Sequence, residues 1–339
     1  MTERLSDRIF EYLQAAVGRE VNLRDIRVFL KIEPGSKDDQ NLRTQMATTM
    51  ISRRVVKPSG RGDGIYKVIV PIEPIAWSLD GDDREGILDF RFPRSYIDDT
   101  TFGLEDLVEI FAGDMILLDG RTNFGKSAIA YSILGENLDL LLSILMGNEL
   151  TTSKLEITPK LKRRLRRMFW AKWMGEDGKP RFDILPVGVD YEEYIRRDYL
   201  NVVDWITLPG EYWLIDSVLK AMKDRVGKGI LVAVLQKGKD SEYAEGGERT
   251  QRHADLELRI DSYGENESVL TVARVKSPKG KNPVGRKWAF DITDYGANLE
   301  NIREVVRCGE CWGKGWKNNR PCANCHKIGY IDKKFKEEQ

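Results

Sequence analysis

The spacing of apolar residues changes along this chain, and each change marks a new part. Leu5, Ile9, Leu13 and Ala16 fall on one stripe of an amphipathic helix. Asn22 is placed to cap a second helix running to Leu30, and Pro34, Gly35 and Ser36 break the pattern. A third helix, from about Asp39 to Arg53, turns Leu42, Met46, Thr49 and Met50 inward. Val55-Val56-Lys57 and Ile65-Tyr66-Lys67-Val68-Ile69 flank residues 58–64, which predicts a hairpin with a glycine-rich tip. Residues 71–100 carry Pro71, Pro74, Pro93 and the acidic run Asp80-Gly81-Asp82-Asp83, the make-up of a linker. Ile75, Trp77, Phe90 and Phe92 are hard to leave wet, so parts of that linker are expected to pack on a neighbour.

From about residue 101 to 305 the pattern becomes short apolar runs separated by helices, which predicts an α/β core with a mostly parallel sheet. Met115-Ile116-Leu117-Leu118 reads as a buried strand and residues 128–134 as the helix that follows. Residues 142–148 form an apolar run ending at Glu149; residues 199–203 end at Asp204; residues 229–235 end at Gln236. Trp213 to Val226 reads as an amphipathic helix. Residues 268–276 and 287–292 pair as a hairpin over a tip at 277–285. Ligands of open α/β sheets bind at the carboxyl ends of strands, so polar residues at three strand ends are candidates for one site.

The strongest local signal lies between that first strand and helix. Gly120, Arg121, Thr122, Asn123, Phe124, Gly125, Lys126 and Ser127 fit G-x-x-x-x-G-K-[ST] in strand–loop–helix context. Loop N–H groups and a helix N-terminus suit a phosphate chain; Lys126 can reach the outer phosphates and Ser127 can bind Mg²⁺. Together with Gly103-Leu104-Glu105-Asp106-Leu107 and Gly113-Asp114, this region resembles the RecA/DnaB-type ATPase core. The resemblance covers roughly residues 101–295. It implies ATP as ligand, Asp204 as the acid that holds Mg²⁺ with Ser127, and Gln236 as the sensor of the γ-phosphate. It implies Glu149 as the group that activates water; the competing reading is a surface glutamate at a helix start. It also implies that the hairpin residues Lys276, Lys279 or Lys281 reach the nucleotide of a neighbouring subunit, hence a homo-oligomer, ring or filament.

Residues 1–70 resemble a winged-helix domain. They hold thirteen basic and nine acidic residues, and Arg43, Arg53, Arg54, Lys57 and Arg61 fall on the third helix and wing. That placement fits duplex contact, or else a solvated basic face on a protein-binding module. The polar stretch 237–253 is too long for an ordinary connection. It reads either as a mobile loop or as a single-stranded DNA contact through Lys237, Lys239, Arg249 and Arg252; His253 reads as a packing residue. Residues 160–173 read as a helix with Arg163, Arg164 and Arg167 on one face and Leu161, Leu165 and Phe169 on another. Its basic face suits nucleic acid, an acidic linker, or solvent.

Charge and cysteine usage complete the picture. The 54 basic and 54 acidic residues cancel, so only local clusters can attract a polyanion. No apolar run is long enough for a membrane span, and the first residues lack a signal-peptide pattern. All four cysteines lie within 308–325 as Cys308-x-x-Cys311 and Cys322-x-x-Cys325, a tetrahedral Zn²⁺ arrangement in a reducing, cytoplasmic setting. About thirty residues from 306 onward cannot build a core alone, so metal would supply their folding free energy. Trp312, Trp316, Lys314, Lys317, Arg320 and Lys327 add a basic, aromatic surface for bases or a protein.

The whole reading is a Mg²⁺-dependent ATPase that moves on or remodels single-stranded DNA, as a helicase or recombination motor. The alternatives are an ATP-gated DNA-binding regulator or loader, and a protein-remodelling ATPase.

Overall fold

The computed structural model describes residues 4–71, 74–208, 210, 212–238, 244 and 247–333. The chain separates into two compact units that meet between Gly81 and Asp82.

The first unit has helices α1 (Leu5–Ala15), α2 (Leu23–Leu30) and α3 (Lys37–Thr44), and strands β1 (Glu20–Asn22), β2 (Val56–Pro58) and β3 (Ile65–Val68). The three helices and the hairpin follow the apolar pattern. Asn22 caps α2 by accepting the Asp25 N–H, and Ser36 caps α3 by accepting that of Asp39. The chain continues past α3 as a π-helical turn, Gln45–Met50, so Leu42, Met46 and Met50 all reach the core with Ile9, Leu13 and Ile26. Strand β1, three residues long, escaped the sequence pattern; it pairs with β3 to give the order β1-β3-β2. Arg53, Arg54, Lys57 and Arg61 are exposed, while Arg43 lies within 3.6 Å of Asp39. Ile75, Trp77 and Leu79 are exposed.

The second unit is an α/β domain on one ten-stranded sheet. Its parallel half comprises β4 (Met115–Gly120), β5 (Ser143–Met146), β6 (Phe182–Leu185), β7 (Leu200–Val203), β8 (Ile230–Gln236) and β9 (Leu256–Tyr263). These lie in the order β9-β4-β8-β7-β5-β6, so β8 separates the phosphate-loop strand from the Asp204 strand. Antiparallel strands β10 (Glu267–Val275), β11 (Lys287–Thr293) and β12 (Asn298–Arg307) extend the sheet beyond β9. Helix α4 (Lys126–Glu136) belongs to the core on one face, which includes Ile116, Leu118, Val232 and Leu258. The helical segment that follows residue 150 is α5 (Pro159–Arg167). Helix α6 (Ile215–Arg225) belongs to the core on the other face, with Met115, Leu117 and Leu231. Phe90 and Phe92, from the stretch read as a linker, are buried in the α4-side core.

At the far edge the cysteine segment forms a two-stranded ribbon, β13 (Trp316–Lys317) and β14 (Arg320–Pro321). Strand β15 (Tyr330–Asp332) then pairs with β12. Among the described residues no helix is long and apolar enough to cross a membrane.

Candidate functional site

The phosphate loop is shaped by two glycines. A Cβ on Gly120 would lie 1.9 Å from the Ile260 carbonyl oxygen of β9, so only glycine lets β4 run beside β9 up to the turn. Gly125 has φ +99°, and a Cβ there would lie 2.1 Å from Ile292 Cδ1. It precedes Lys126, the first residue of α4, whose body from Ala128 to Leu134 is buried and therefore fixed. Lys126 Nζ donates to the Arg121 carbonyl at 2.7 Å, holding the ammonium across the loop. Burial lowers its pKa, opposed by the charges of Asp204, Asp119 and Asp261.

Asp204 follows the last residue of β7 and is 6% exposed. Its Oδ1 accepts from Ser127 Oγ at 3.1 Å. Burial raises its pKa; the Tyr131 and Ser127 hydroxyls, then Arg164 and Lys126, pull it back. A Cβ on Gly147 would lie 2.0 Å from the Asp204 carbonyl oxygen, so glycine lets the ends of β5 and β7 close together. Glu149 lies three residues past β5, is exposed, and acts on Tyr131 through its charge. Gln236 ends β8 in register with Gly120. Lys126, Ser127, Asp204 and Gln236 therefore share the carboxyl end of the parallel strands, with Glu149 at its margin.

The hairpin lysines lie elsewhere. Lys276 pairs with Asp255 at 2.8 Å, and Asp255 accepts the N–H of Met115, the first residue of β4. Lys279 Nζ donates to the Glu105 carbonyl at 2.8 Å, and Lys281 is exposed. The Lys276–Asp255 pair thus sits at the amino end of β4, roughly 17 Å along the strand from Gly120 at about 3.3 Å per residue.

Several polar readings change with the fold. Lys237 is not a surface contact: its ammonium is nearly buried and pairs with Asp261 at 2.8 Å, beneath the loop. Lys239 lies outside the described residues. Arg249 is exposed; Arg252 and His253 both face Asp216, at 3.9 and 3.1 Å. On the basic face of α5, Arg163 and Arg167 stay exposed while Arg164 is half-buried. Arg163 and Arg167 lie 5.1 and 5.2 Å from the ring centre of Tyr295, and Arg164 lies 5.2 Å from that of Tyr131. Leu161 is buried as its spacing predicts, whereas Phe169 is exposed. Tyr131, Arg164 and Tyr295 carry no motif; the tertiary fold brings them beside the loop.

The sulfurs of Cys308, Cys311, Cys322 and Cys325 all lie within 4.8 Å of one another, and all four residues are buried. The N–H groups of Gly315 and Gly329 donate to Cys311 Sγ at 3.3 Å and Cys325 Sγ at 3.2 Å. Four thiolates cannot share this space without a cation. Burial pushes the Cys325 thiol up to about 12. Cys311 comes down to about 7 because hydrogen bonds from Gly315 and neighbouring sulfurs outweigh its burial. Four sulfurs with N–H support fit a tetrahedral thiophilic ion. Trp312 and Trp316 are 76% and 50% exposed, and Lys327 Nζ lies 5.5 Å from the Trp316 ring centre.

No family profile and no curated protein matches the sequence. Among solved structures, the chain is similar to a KaiC-like protein of the hyperthermophilic archaeon Pyrococcus horikoshii, at 17% identity and a TM-score of 0.46, over 63% of this chain and 99% of that one.

Proposed function

We propose that the chain is a Mg²⁺-dependent ATPase of the RecA/DnaB type whose turnover drives movement on, or remodelling of, single-stranded DNA. One observation carries the ATPase reading. A glycine-shaped loop, the N-terminus of a buried helix, Lys126, Ser127 and a buried aspartate converge at one end of a parallel sheet. Loop amides and Lys126 bind the phosphates, and Ser127 and Asp204 hold the metal. Mg²⁺, when bound, neutralises charge across the outer phosphates. Glu149 orients and deprotonates water, and Gln236 senses the γ-phosphate. Lys276 pairs at the amino end of β4, away from its own loop, and in this reading the hairpin lysines Lys276, Lys279 or Lys281 serve the nucleotide of a second copy, hence a homo-oligomer.

Nucleic acid enters through the first unit, whose helix order, hairpin and exposed Arg53, Arg54, Lys57 and Arg61 support a winged helix on duplex DNA. The four cysteines bind Zn²⁺. The deciding experiment is an ATPase assay with and without single-stranded DNA, beside a mass measurement with an ATP analogue. Stimulated hydrolysis in an assembled state supports the motor. Hydrolysis indifferent to every nucleic acid removes the DNA coupling and leaves protein remodelling. No hydrolysis removes the motor.

A further inference from the structure

The cysteine module carries side chains that neither its packing nor its four sulfurs ask for. In the arm that follows Cys311, the glycines lie against the second arm: a Cβ on Gly315 would meet the Lys327 carbonyl, and Gly329 approaches the Gly313 carbonyl as closely. Trp312, Lys314 and Trp316, which alternate with Gly313 and Gly315, are all exposed. Trp312 also holds φ +54°, a left-handed backbone that disfavours a bulky side chain. Lys327 lies over one face of the half-exposed Trp316 ring. On the β13–β14 ribbon Lys317 stands opposite Arg320, a like-charge pair that weakens the ribbon. Glu310 offsets Lys317, but Arg320 and Lys314 have no ion-pair partner among the described residues. Lys317, Asn318, Arg320 and Asn324 line an open groove of about 840 Å³. Residues 307–329 include five basic residues and one acidic residue. The module therefore stays positive even when four thiolates around a divalent ion add their negative charge.

We infer that the cysteine module is a docking surface for single-stranded DNA, with Trp312 and Trp316 as stacking platforms and Lys314, Lys317, Arg320 and Lys327 as phosphate contacts. The inference rests on the single-stranded DNA reading above and gives that strand a site apart from the phosphate loop. Bare indole faces beside unpaired cations match a strand whose bases are unstacked and whose backbone is anionic. A duplex offers the same phosphates but keeps its base faces covered, so it uses the cations and wastes the rings. An unfolded polypeptide uses the rings but leaves the opposed cations on the ribbon without counter-charge.

The test titrates the full chain, purified without chelator, into fluorescein-labelled oligo-dT and into a duplex of equal length, with and without an ATP analogue. Trp312→Ala and Trp316→Ala should each weaken oligo-dT binding roughly tenfold, the scale of one lost base stack, and leave duplex binding unchanged. Trp312→Phe and Trp316→Phe should recover most of that loss, because a ring remains. Lys314→Ala should make the dependence of log affinity on log salt shallower by about 0.7, one phosphate contact on a single strand. Reactivity of the four cysteines toward a thiol reagent reports whether the module is intact; where an alanine variant loosens it, the phenylalanine variants and the Lys314→Ala slope decide. Oligo-dT binding that is equal in parent and alanine variants, or a loss shared equally by the duplex, overturns the surface and leaves the single-stranded DNA reading standing. A parent that binds no oligo-dT in either condition overturns both. Tryptophan-dependent binding of a carboxymethylated, unfolded polypeptide, with oligo-dT binding indifferent to the same tryptophans, makes this a protein site and overturns the inference.

Discussion

The phosphate loop and the cysteine module are both built on glycine turns, yet they are held by different means. In the module, a Cβ on Gly315 would lie 2.1 Å from the Lys327 carbonyl oxygen and one on Gly329 2.4 Å from that of Gly313, contacts as tight as that of Gly120 with Ile260. The loop rests on the large core: α4 and β4 are buried along most of their length. The module buries its four cysteines and little else, with Ile331 packed beside them. The first turn is therefore kept in shape by packing that exists without any ligand. The second has no such core, and the proposed cation among its sulfurs would supply what packing does not.

The largest expected effect breaks the two regions apart. Structural Zn²⁺ in small four-ligand modules contributes on the order of 10 kcal/mol or more of apparent binding free energy. A strong chelator, or Cys322→Ser, should unfold residues 308–329 and shift the emission of Trp312 and Trp316, while nucleotide binding at the loop persists. Loss of nucleotide binding in parallel with the tryptophan change would show that the module supports the loop after all, through β15 and β12.

Next in size is Gly120→Ala. The added methyl meets backbone on the neighbouring strand, which cannot rotate away, so β4 and β9 must separate. A cost of roughly 3–5 kcal/mol follows, in the range reserved for strain at a special backbone site. Thermal unfolding of the nucleotide-free protein measures it. A melting temperature unchanged from the parent would mean that the loop is not held by the sheet.

Lys126→Ala separates shape from chemistry. It removes charge and leaves the glycine contacts intact, so stability should change little while hydrolysis falls by about 10²–10³-fold, the scale of one lost electrostatic group at a transition state. Glu149→Gln should stop turnover and keep nucleotide bound. Survival of hydrolysis in Glu149→Gln would transfer the base to another group.

What could be read without coordinates follows the same division. The loop, Asp204 and Gln236 were legible because each ends an apolar run long enough to be a strand, and the four cysteines because their spacing is local. Tyr131, Arg164 and Tyr295 were not, since what joins them is packing across more than thirty residues of sequence. Lys237 misled because a lysine beside a polar loop looks solvated; its partner, Asp261, lies 24 residues away on β9. Strand β1 is too short to show a period, and the π-helical turn after α3 shifts no apolar residue out of phase enough to be noticed.

The smallest effect concerns charge beneath the loop, where the two regions should respond to pH with opposite sign. Asp119, one residue before Gly120, is wholly buried. Arg259 reaches its Oδ2 at 3.2 Å and Glu257 Oε1 at 3.1 Å, so one guanidinium serves two buried carboxylates. Burial raises the Asp119 pKa to about 7; Arg259 opposes the shift and Glu257 adds to it. The folded chain then holds a proton between about pH 4 and 7 that the unfolded chain has released, so this group makes folding less favourable as pH rises through that window. Asp119→Asn should therefore gain stability over the parent at pH 8, by on the order of 1–3 kcal/mol, and gain little at pH 4. The cysteine module should behave in the reverse way, because its thiols must lose protons to hold metal and acid releases it. Unfolding curves at the two pH values, read by a far-UV signal for the sheet and by tryptophan emission for the module, check both signs. A stability difference between Asp119→Asn and the parent that is the same at pH 4 and pH 8 would mean that Asp119 stays ionised throughout, with Arg259 sufficient for both acids.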